Sequence, residues 1–338
     1  MARVQWIFSA ALPLVALTGC ASDPQVVSQR YVVSSILPGQ DGSYDYASVD
    51  PDTGDLFIGR EFGVQKIALT SGASETVLER ADVAAVLMIP GTRLMLSTNG
   101  SSNSATLFDR DNGHVLGDFP TGEAPDGAFY DAASGLAFVM NSDGGDATVI
   151  DIAGRRVAGT IKLGEAPEAG VSDGAGHAFI NLEAGNEIAV VDIASLKLVT
   201  RYALPGCIEP TGLAYDTKSG LLISACHNGT AKLIDAGTGT DRGSISIGKG
   251  ADGSIFDPHT RRGFVPSIDG VLISYRMDEH GNVSEVSVTK TREGARTAAY
   301  DPVSYKLYLP AAHVEWGKAG EYLGARRGFS VIVVSPGK

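Results

Sequence analysis

The sequence predicts an all-β fold, a seven-bladed β-propeller of four-stranded blades, and three observations lead to this prediction. A short phrase returns along the chain with a period of roughly 42 residues, and periods of this size indicate repeat architectures. Each unit contains short strand patterns separated by turns rich in Gly, Asp and Ser. The final unit lacks one strand, while a spare strand pattern precedes the first unit. Radial repetition of four-stranded units is the architecture of a propeller.

The repeated phrase is an apolar stretch, an aspartate, a turn and a second apolar run, as in "FYDAASGLAFVMN" and "LAYDTKSGLLISA". The aspartates that mark it are Asp50, Asp131, Asp173, Asp216, Asp257 and Asp301. After Asp131 their spacings are 42, 43, 41 and 44 residues. The gap of 81 residues between Asp50 and Asp131 holds one degenerate copy, "LMIPGTRLMLSTNG", with Pro90 at the marker position. The chain therefore contains seven units.

The strands within a unit are short, and in the unit around Asp131 they read "GAFYD", "LAFVMN", "ATVIDI" and "RVAGTIKL". No helical pattern of about 10–15 residues lies between them, which argues against a parallel α/β sheet. The last unit supplies three strands, and "YVVSSIL" at residues 31–37 is expected to complete its blade. That pairing would close the ring and cover the sheet edges that an open ring exposes.

The N-terminus predicts export and a lipid anchor. "MARVQWIFSAALPLVALTGC" has an apolar run at residues 6–17, which is too short to span a membrane, and ends in a motif that resembles a bacterial lipobox. We therefore expect a signal peptide at 1–19, a lipidated tether at 20–30 and the propeller at 31–338. Acyl chains on Cys20 would anchor the protein to a bilayer. Ala21 after that cysteine favours the periplasmic face of the outer membrane. An ordinary secretory signal with an incidental cysteine is the alternative.

The charge balance argues against nucleic acid as a partner. The chain has 27 Lys and Arg against 39 Asp and Glu, which gives a net charge of −12. An acidic protein stays soluble but is repelled by phosphate backbones.

The units resemble the YVTN-type β-propeller repeat, and "AFVMNSDGGDATVIDIAGRRVAGTIKLG" follows its pattern of strand, Asn, loop, "VID" and strand. Several phrases are similar to the YncE-like branch of exported bacterial propellers: "EAPEAGVSDGAGHAFINLE", "CIEPTGLAYD", "LISACHNG" and "GARTAAYDPVSYKLYLPAA". The resemblance covers residues 31–334. It implies a propeller fold and export, but no particular reaction.

Propeller geometry predicts which residues surround the funnel at the centre of the ring. The innermost strand of each blade starts on the funnel face, so residues five positions before each marker should surround the opening. They are Asp45, Ala85, Asp126, Glu168, Thr211, Asp252 and Arg296. Glu209 lies two positions before Thr211, and returning strands end near His227 and His313. The candidate ligand-binding residues are therefore Asp45, Asp126, Glu168, Glu209, His227, Asp252, Arg296 and His313.

Converging carboxylates allow two functions from different classes. One is a binding module for a periplasmic ligand or protein. The other is a metal-dependent hydrolase, lactonase or lyase in which Glu168, Glu209 and Asp252 hold Ca²⁺ or another divalent cation, since such cations prefer oxygen ligands. Carboxylates this close could also shift each other's pKa and act as acid and base. The plainer alternative is that they cap strand ends and hydrogen-bond to loop backbone. No catalytic residue is assigned.

Cys207 and Cys226 are expected to form a disulfide. The turn between their strands centres near Lys218, which places Cys226 opposite Pro210, three residues from Cys207. Both cysteines then lie at the funnel end of one hairpin in an oxidising compartment, where disulfides form. A metal site made by the cysteines and His227 is the alternative.

The last blade carries an insertion, "HVEWGKAGEYLGARRG", at residues 313–328. We expect it to form a long loop on the funnel face, because loops on a rigid scaffold often carry binding. It is either a lid over the funnel or an insertion without function.

Overall fold

The computed structural model describes residues 30–337. It confirms the predicted fold class: seven four-stranded antiparallel sheets form the blades of a propeller. The predicted signal peptide, the lipidation site Cys20 and the tether before Arg30 lie outside the described residues. Across residues 30–337, no helix has the length and apolar character needed to cross a membrane.

Each of the first six blades uses four consecutive strands, listed from the innermost outward. Blade 1 comprises β2 (Tyr44–Asp50), β3 (Asp55–Arg60), β4 (Gly63–Ala68) and β5 (Ser74–Glu79). Blade 2 comprises β6 (Val83–Met88), β7 (Leu94–Asn99), β8 (Ser104–Asp109) and β9 (Val115–Pro120). Blade 3 comprises β10 (Pro125–Asp131), β11 (Leu136–Asn141), β12 (Asp146–Asp151) and β13 (Arg156–Lys162). Blade 4 comprises β14 (Pro167–Ser172), β15 (His177–Leu182), β16 (Glu187–Asp192) and β17 (Lys197–Ala203). Blade 5 comprises β18 (Pro210–Asp216), β19 (Leu221–Cys226), β20 (Thr230–Asp235) and β21 (Asp241–Ser246). Blade 6 comprises β22 (Ile255–Asp257), β23 (Arg262–Ser267), β24 (Val271–Met277) and β25 (Val283–Lys290).

The seventh blade closes the ring. It contains β26 (Ala299–Asp301), β27 (Lys306–Trp316) and β28 (Tyr322–Pro336), and its outermost strand is β1 (Tyr31–Pro38). β1 runs antiparallel to β28, with Tyr31 opposite Pro336 and Pro38 opposite Ser330. The expectation that residues 31–37 complete the last blade is therefore confirmed.

The core lies between neighbouring blades. The two middle strands of a blade are covered on both faces, which is why β11 and β12 read as nearly continuous apolar runs rather than alternating ones. Phe138 and Met140 of blade 3 pack in one cluster with Ile180 and Leu182 of blade 4. Burial of this kind repeats around the ring and makes the scaffold rigid.

The marker aspartates fasten the turns between the first and second strands, on the face opposite the funnel. Five of the six are buried. Asp50 accepts hydrogen bonds from the backbone of Asp52 and the hydroxyl of Thr53. Asp216 accepts a hydrogen bond from Ser219 of its own turn and binds both terminal nitrogens of Arg261 in the next blade. The repeated aspartate-and-turn motif is thus structural. We call the side of the ring that carries these turns, opposite the funnel, the turn face.

The insertion at 313–328 is not a loop, and this expectation was wrong. β27 and β28 continue beyond the length of other blade strands and pair Val314 with Ala325 and Trp316 with Tyr322. A tight turn at residues 317–321 joins them. The two strands pair around a short turn in which Gly320 adopts a φ of +86°, a left-handed conformation that favours glycine. We call residues 313–328 the extended hairpin.

Candidate ligand-binding site in the central channel

The innermost strands bring the predicted funnel residues to the centre through a shared irregularity. In blades 1 to 5 the register between the first and second strands shifts where the innermost strand begins, for example between Tyr44 and Ala47 and between Pro125 and Ala128. Such bulges re-aim side chains next to functional sites. Asp45, Asp126 and Glu168 all lie in these segments. In blades 6 and 7, Asp252 and Arg296 precede the strands β22 and β26 instead.

Hydrogen bonds between neighbouring blades fix the backbone of this ring. The Thr98 hydroxyl donates to the Asp126 carbonyl at 2.7 Å, and the Thr297 hydroxyl donates to the Asp45 carbonyl at 3.1 Å. Thr211, predicted to surround the opening, is buried and donates to the Ala251 carbonyl at 2.5 Å. Its role is therefore to join blades 5 and 6.

The ion pairs of the channel centre on one guanidinium. Arg296 Nη2 lies 3.4 Å from Asp45 Oδ2, and Arg296 Nε lies 3.2 Å from Asp252 Oδ2. Glu168 accepts a hydrogen bond from the Tyr46 hydroxyl at 2.8 Å. Because Tyr46 belongs to blade 1 and Glu168 to blade 4, this bond crosses the channel. We call Asp45, Asp126, Glu168, Asp252 and Arg296 the channel cluster.

Two carboxylate oxygens of the channel cluster lack a partner within the described part of the protein. Glu168 and Asp252 are only 7% and 6% exposed. Asp45 Oδ1 and Asp126 Oδ1 are buried and accept no hydrogen bond within residues 30–337. Leaving a buried polar group unpaired costs about 1–3 kcal/mol, so each such atom calls for a ligand, an ion or water.

The cluster also holds carboxyl groups with raised pKa values. Burial is the main cause for Asp45, whose pKa lies well above its usual range despite the favourable charge of Arg296. Burial, together with the charges of Asp126 and Asp252, raises the pKa of Glu168 in the same way. Burial and the Asp252 carboxylate raise the pKa of Asp126 to about 6. Burial alone would lower the pKa of Arg296, but the carboxylates of Asp252 and Asp45 raise it well above the usual value. The arginine therefore stays charged while the acids compete for protons.

A second group lies at the rim of the channel. Glu183 follows β15, Glu209 precedes β18 and His227 follows β19. His227 Nδ1 lies 2.9 Å from Glu209 Oε2, and one ligand atom from each of the three residues lies within 4.8 Å of the others. Burial is the main cause that raises the pKa of Glu183, helped by Glu209 and Asp252 and opposed by His227. We call Glu183, Glu209 and His227 the rim cluster.

The three predicted metal ligands do not converge as one set. Within residues 30–337, the compact set of metal-ligand atoms joins Glu209 to Glu183 and His227, whereas Glu168 and Asp252 belong to the channel cluster. The sequence interpretation missed Glu183, which occupies the position after the returning strand of blade 4 that His227 occupies in blade 5. Comparing that position across blades would have found it.

The expected disulfide between Cys207 and Cys226 is present, with a Cα–Cα distance of 5.5 Å. Pro210 pairs with Cys226 in the register that the sequence predicted. The alternative, a metal site made by the two cysteines, is therefore excluded in this oxidised form. The bond connects the segments that carry Glu209 and His227.

His313 does not join the channel cluster. It pairs with Arg327 in the extended hairpin, is exposed, and its ring lies beside Gly328. Another hairpin residue does reach the channel: the Tyr322 ring centre lies 5.3 Å from Arg296 Cζ. Trp316 packs edge-on against Tyr322 and donates a hydrogen bond to Glu293 at 2.8 Å. The extended hairpin thus leans over Arg296.

No family model matches the chain, and no curated protein matches its sequence. The resemblance to the YVTN-repeat family and its YncE-like branch therefore stays a prediction. Solved structures match over nearly the whole chain. The WD40 repeats of RRP9 superpose with a TM-score of 0.74 at 13% identity, over 90% of this chain and 99% of that one. Hydrazine synthase from Kuenenia stuttgartiensis gives 0.71 at 14% identity, over 86% and 97%. U3-55K gives 0.71 at 12% identity, over 88% and 97%.

Identities this low carry information about the fold alone. Matches extend to 1791 solved chains, so the architecture by itself does not select a function. Together with the seven four-stranded blades, the comparisons establish that this chain has the fold of a seven-bladed β-propeller.

Proposed function

We propose that this protein is a ligand-binding propeller of the bacterial cell envelope whose central channel binds a cationic group. One observation carries the proposal: four carboxylates share the channel with a single guanidinium that pairs with two of them, and buried oxygens of Asp45 and Asp126 have no partner within residues 30–337. A cation is the ligand that would pair these oxygens.

The charge of the channel cluster supports a cation rather than an anion. Four carboxylates against one arginine leave 4 − 1 = 3 negative charges when all are ionised. Arg296 pairs with Asp45 and Asp252 but makes no ion pair with Asp126 or Glu168. Relief of the repulsion by Arg296 therefore accounts for only two of the four acids. Like charges at short range otherwise have to take up protons.

The chemistry fits either a hard divalent cation or an ammonium group. Carboxylate oxygens suit Ca²⁺. They suit equally an ammonium group, which belongs either to a small molecule or to a lysine of a partner protein. Propellers commonly serve as protein-binding scaffolds, so the second source is a reasonable one.

Thermal unfolding of the full-length protein, purified in detergent, tests the proposal with Ca²⁺, Mg²⁺ and 1,4-diaminobutane as probes. A bound cation should raise the Tm in a saturable way, by the equivalent of about 2.7 kcal/mol at a hundredfold excess over Kd. The double variant Asp126→Asn with Glu168→Gln should lose the response. Asp52→Asn with Glu75→Gln removes two exposed carboxylates elsewhere and should keep it. A Tm that ignores all three probes up to millimolar concentrations would overturn the proposal.

The envelope location rests on the lipobox-like motif at Cys20. Cys20→Ser should abolish lipid labelling and release a folded propeller from the membrane fraction. The disulfide at Cys207 and Cys226 is compatible with an oxidising compartment. If the Cys20 variant fractionates like the parent, the anchoring part of the proposal is wrong while the channel part is unaffected.

A further inference from the structure

The rim cluster differs from an ordinary group of surface acids. It brings one imidazole nitrogen and two carboxylates together, and within residues 30–337 neither Glu183 nor Glu209 forms an ion pair with a Lys or Arg. We propose that Glu183, Glu209 and His227 bind a first-row divalent transition metal ion such as Zn²⁺. This site is separate from the channel cluster and does not rest on the proposed cationic ligand.

The distances suit a single ion. Ligands about 2.0–2.1 Å from a tetrahedral Zn²⁺ lie about 3.3 Å from one another. His227 Nδ1 and Glu209 Oε2 are 2.9 Å apart, and the whole set fits within 4.8 Å. Small side-chain rotations therefore bring all three donors around one ion, without movement of the blades.

The segments that carry the donors are already held together. The backbone N–H of Glu209 donates to Asn186 Oδ1 at 2.8 Å, which ties its loop to the one that follows Glu183. The backbone N–H of His227 donates to the carbonyls of Ile208 and Glu209. The disulfide joins Cys207 to Cys226, two residues before Glu209 and one before His227. A prepared donor set loses little entropy when an ion binds.

Buried acids behind the rim add to the attraction for a cation. Within the part of the chain that the structure describes, Asp252, at 6% exposure, has no side-chain hydrogen bond and a single ion pair, with Arg296. Its segment lies beside the rim, because the backbone N–H of Gly250 donates to the His227 carbonyl at 2.9 Å. A metal ion at the rim would sit in the negative potential of the channel.

The donor types select the class of metal. An imidazole nitrogen favours Zn²⁺, Co²⁺, Ni²⁺ or Cu²⁺ over Ca²⁺ and Mg²⁺, which prefer oxygen. Three protein ligands leave a tetrahedral ion with one position for water or an added ligand. The site therefore has the composition of an open metal centre at the mouth of the channel.

Another histidine provides an internal control. His177 Nδ1 lies 3.0 Å from Asp173 Oδ2 on the turn face, a contact similar to that of His227 with Glu209. No third donor completes a metal-ligand set there within the described chain. If a histidine–carboxylate pair were enough for binding, His177 would bind as well as His227.

The experiment uses tag-free, full-length protein in detergent after removal of metals by a chelator. Titration with Co²⁺ should give the visible absorption of a low-symmetry site at one equivalent, and Zn²⁺ should bleach it. His227→Gln and Glu183→Gln should each weaken Co²⁺ binding more than the roughly 10- to 100-fold that loss of an outer-shell partner costs. His177→Gln should leave the titration unchanged.

Four results separate the interpretations. No stoichiometric Co²⁺ or Zn²⁺ binding, or equal binding by the parent and by His227→Gln, would overturn the inference. Glu209→Gln guards against misfolding, since that side chain is 54% exposed and its loss should weaken binding with the Tm retained. The channel variant Asp126→Asn with Glu168→Gln should keep the Co²⁺ spectrum, so failure of the channel proposal is distinguishable from failure of this one.

Discussion

The two faces of the propeller use the same type of side chain, an aspartate carboxylate, in opposite ways. On the turn face, Asp216 is fully buried, yet it is paired with Arg261 and with the hydroxyl of Ser219. At the channel, Asp126 has a buried oxygen and no side-chain partner within the described residues. Burial raises the pKa of both carboxyls, but hydrogen bonds from Arg261 and Ser219 more than offset it for Asp216, whose pKa is lowered. Hydrogen-bond and ion-pair partners within the protein, rather than burial, therefore distinguish a structural carboxylate from a candidate ligand-binding carboxylate.

Removal of one acid from each face should have opposite effects on stability. Asp216→Ala leaves the Arg261 guanidinium buried and unpaired, which should destabilise the protein by about 3–5 kcal/mol. Asp126→Asn removes a charge that the protein does not pair and should be neutral or stabilising at pH 7.5. Urea unfolding of both variants gives the measurement. Similar losses of free energy in the two variants would break the comparison.

The pH dependence of stability should show both faces in one curve. The raised pKa values of Asp45, Asp126 and Glu168 mean that the folded protein binds more protons than the unfolded chain, so stability falls as the pH rises through about 6. The lowered pKa values of Asp216 and Asp257 have the reverse sign, and their contribution is lost as the pH falls below about 4. Stability should therefore peak in mildly acidic solution.

The curve of unfolding free energy against pH has an acidic limb below about pH 4 and a neutral limb above about pH 5. The size of the neutral limb provides the finer test. Between pH 5 and pH 7.5, channel deprotonation should cost about 1–3 kcal/mol, allowing for solvent screening. Asp126→Asn with Glu168→Gln should flatten this limb and leave the acidic limb unchanged. Free energies from urea unfolding at several pH values measure both limbs. If the neutral limb has the same slope in parent and variant, groups other than Asp126 and Glu168 take up the protons, and the prediction is wrong.

The repeat made most of this fold predictable. Marker spacing predicts the blade count, and the offset of five residues finds all five members of the channel cluster. Tyr46 was missed because strict alternation along a strand would point it away from its neighbour Asp45. The register shift between Tyr44 and Ala47 breaks that alternation and lets its hydroxyl reach Glu168.

Features that the repeated marker does not encode limited the rest of the prediction. The rim cluster joins loops of blades 4 and 5, and only superposition of the repeats would have paired Glu183 with His227. His313 was expected in the funnel because its strand ends there in other blades, but β27 continues to Trp316 and carries it into the extended hairpin. An insertion that prolongs pairing moves every residue beyond it, and composition alone does not distinguish it from a loop.

The direction of β1 determines how the propeller would face a membrane. Tyr31 pairs with Pro336 at the turn face, while Pro38 lies at the end of β1 nearer the channel mouth. With Cys20 lipidated as we propose, the ten tether residues 21–30 would join the lipid anchor to the start of β1 at the turn face. Ten residues reach at most about 36 Å. The bilayer would then meet the paired, structural aspartates, and the channel mouth would open toward the aqueous periplasm. Such an orientation would present the acidic channel to dissolved cations and to partner proteins rather than to lipid headgroups.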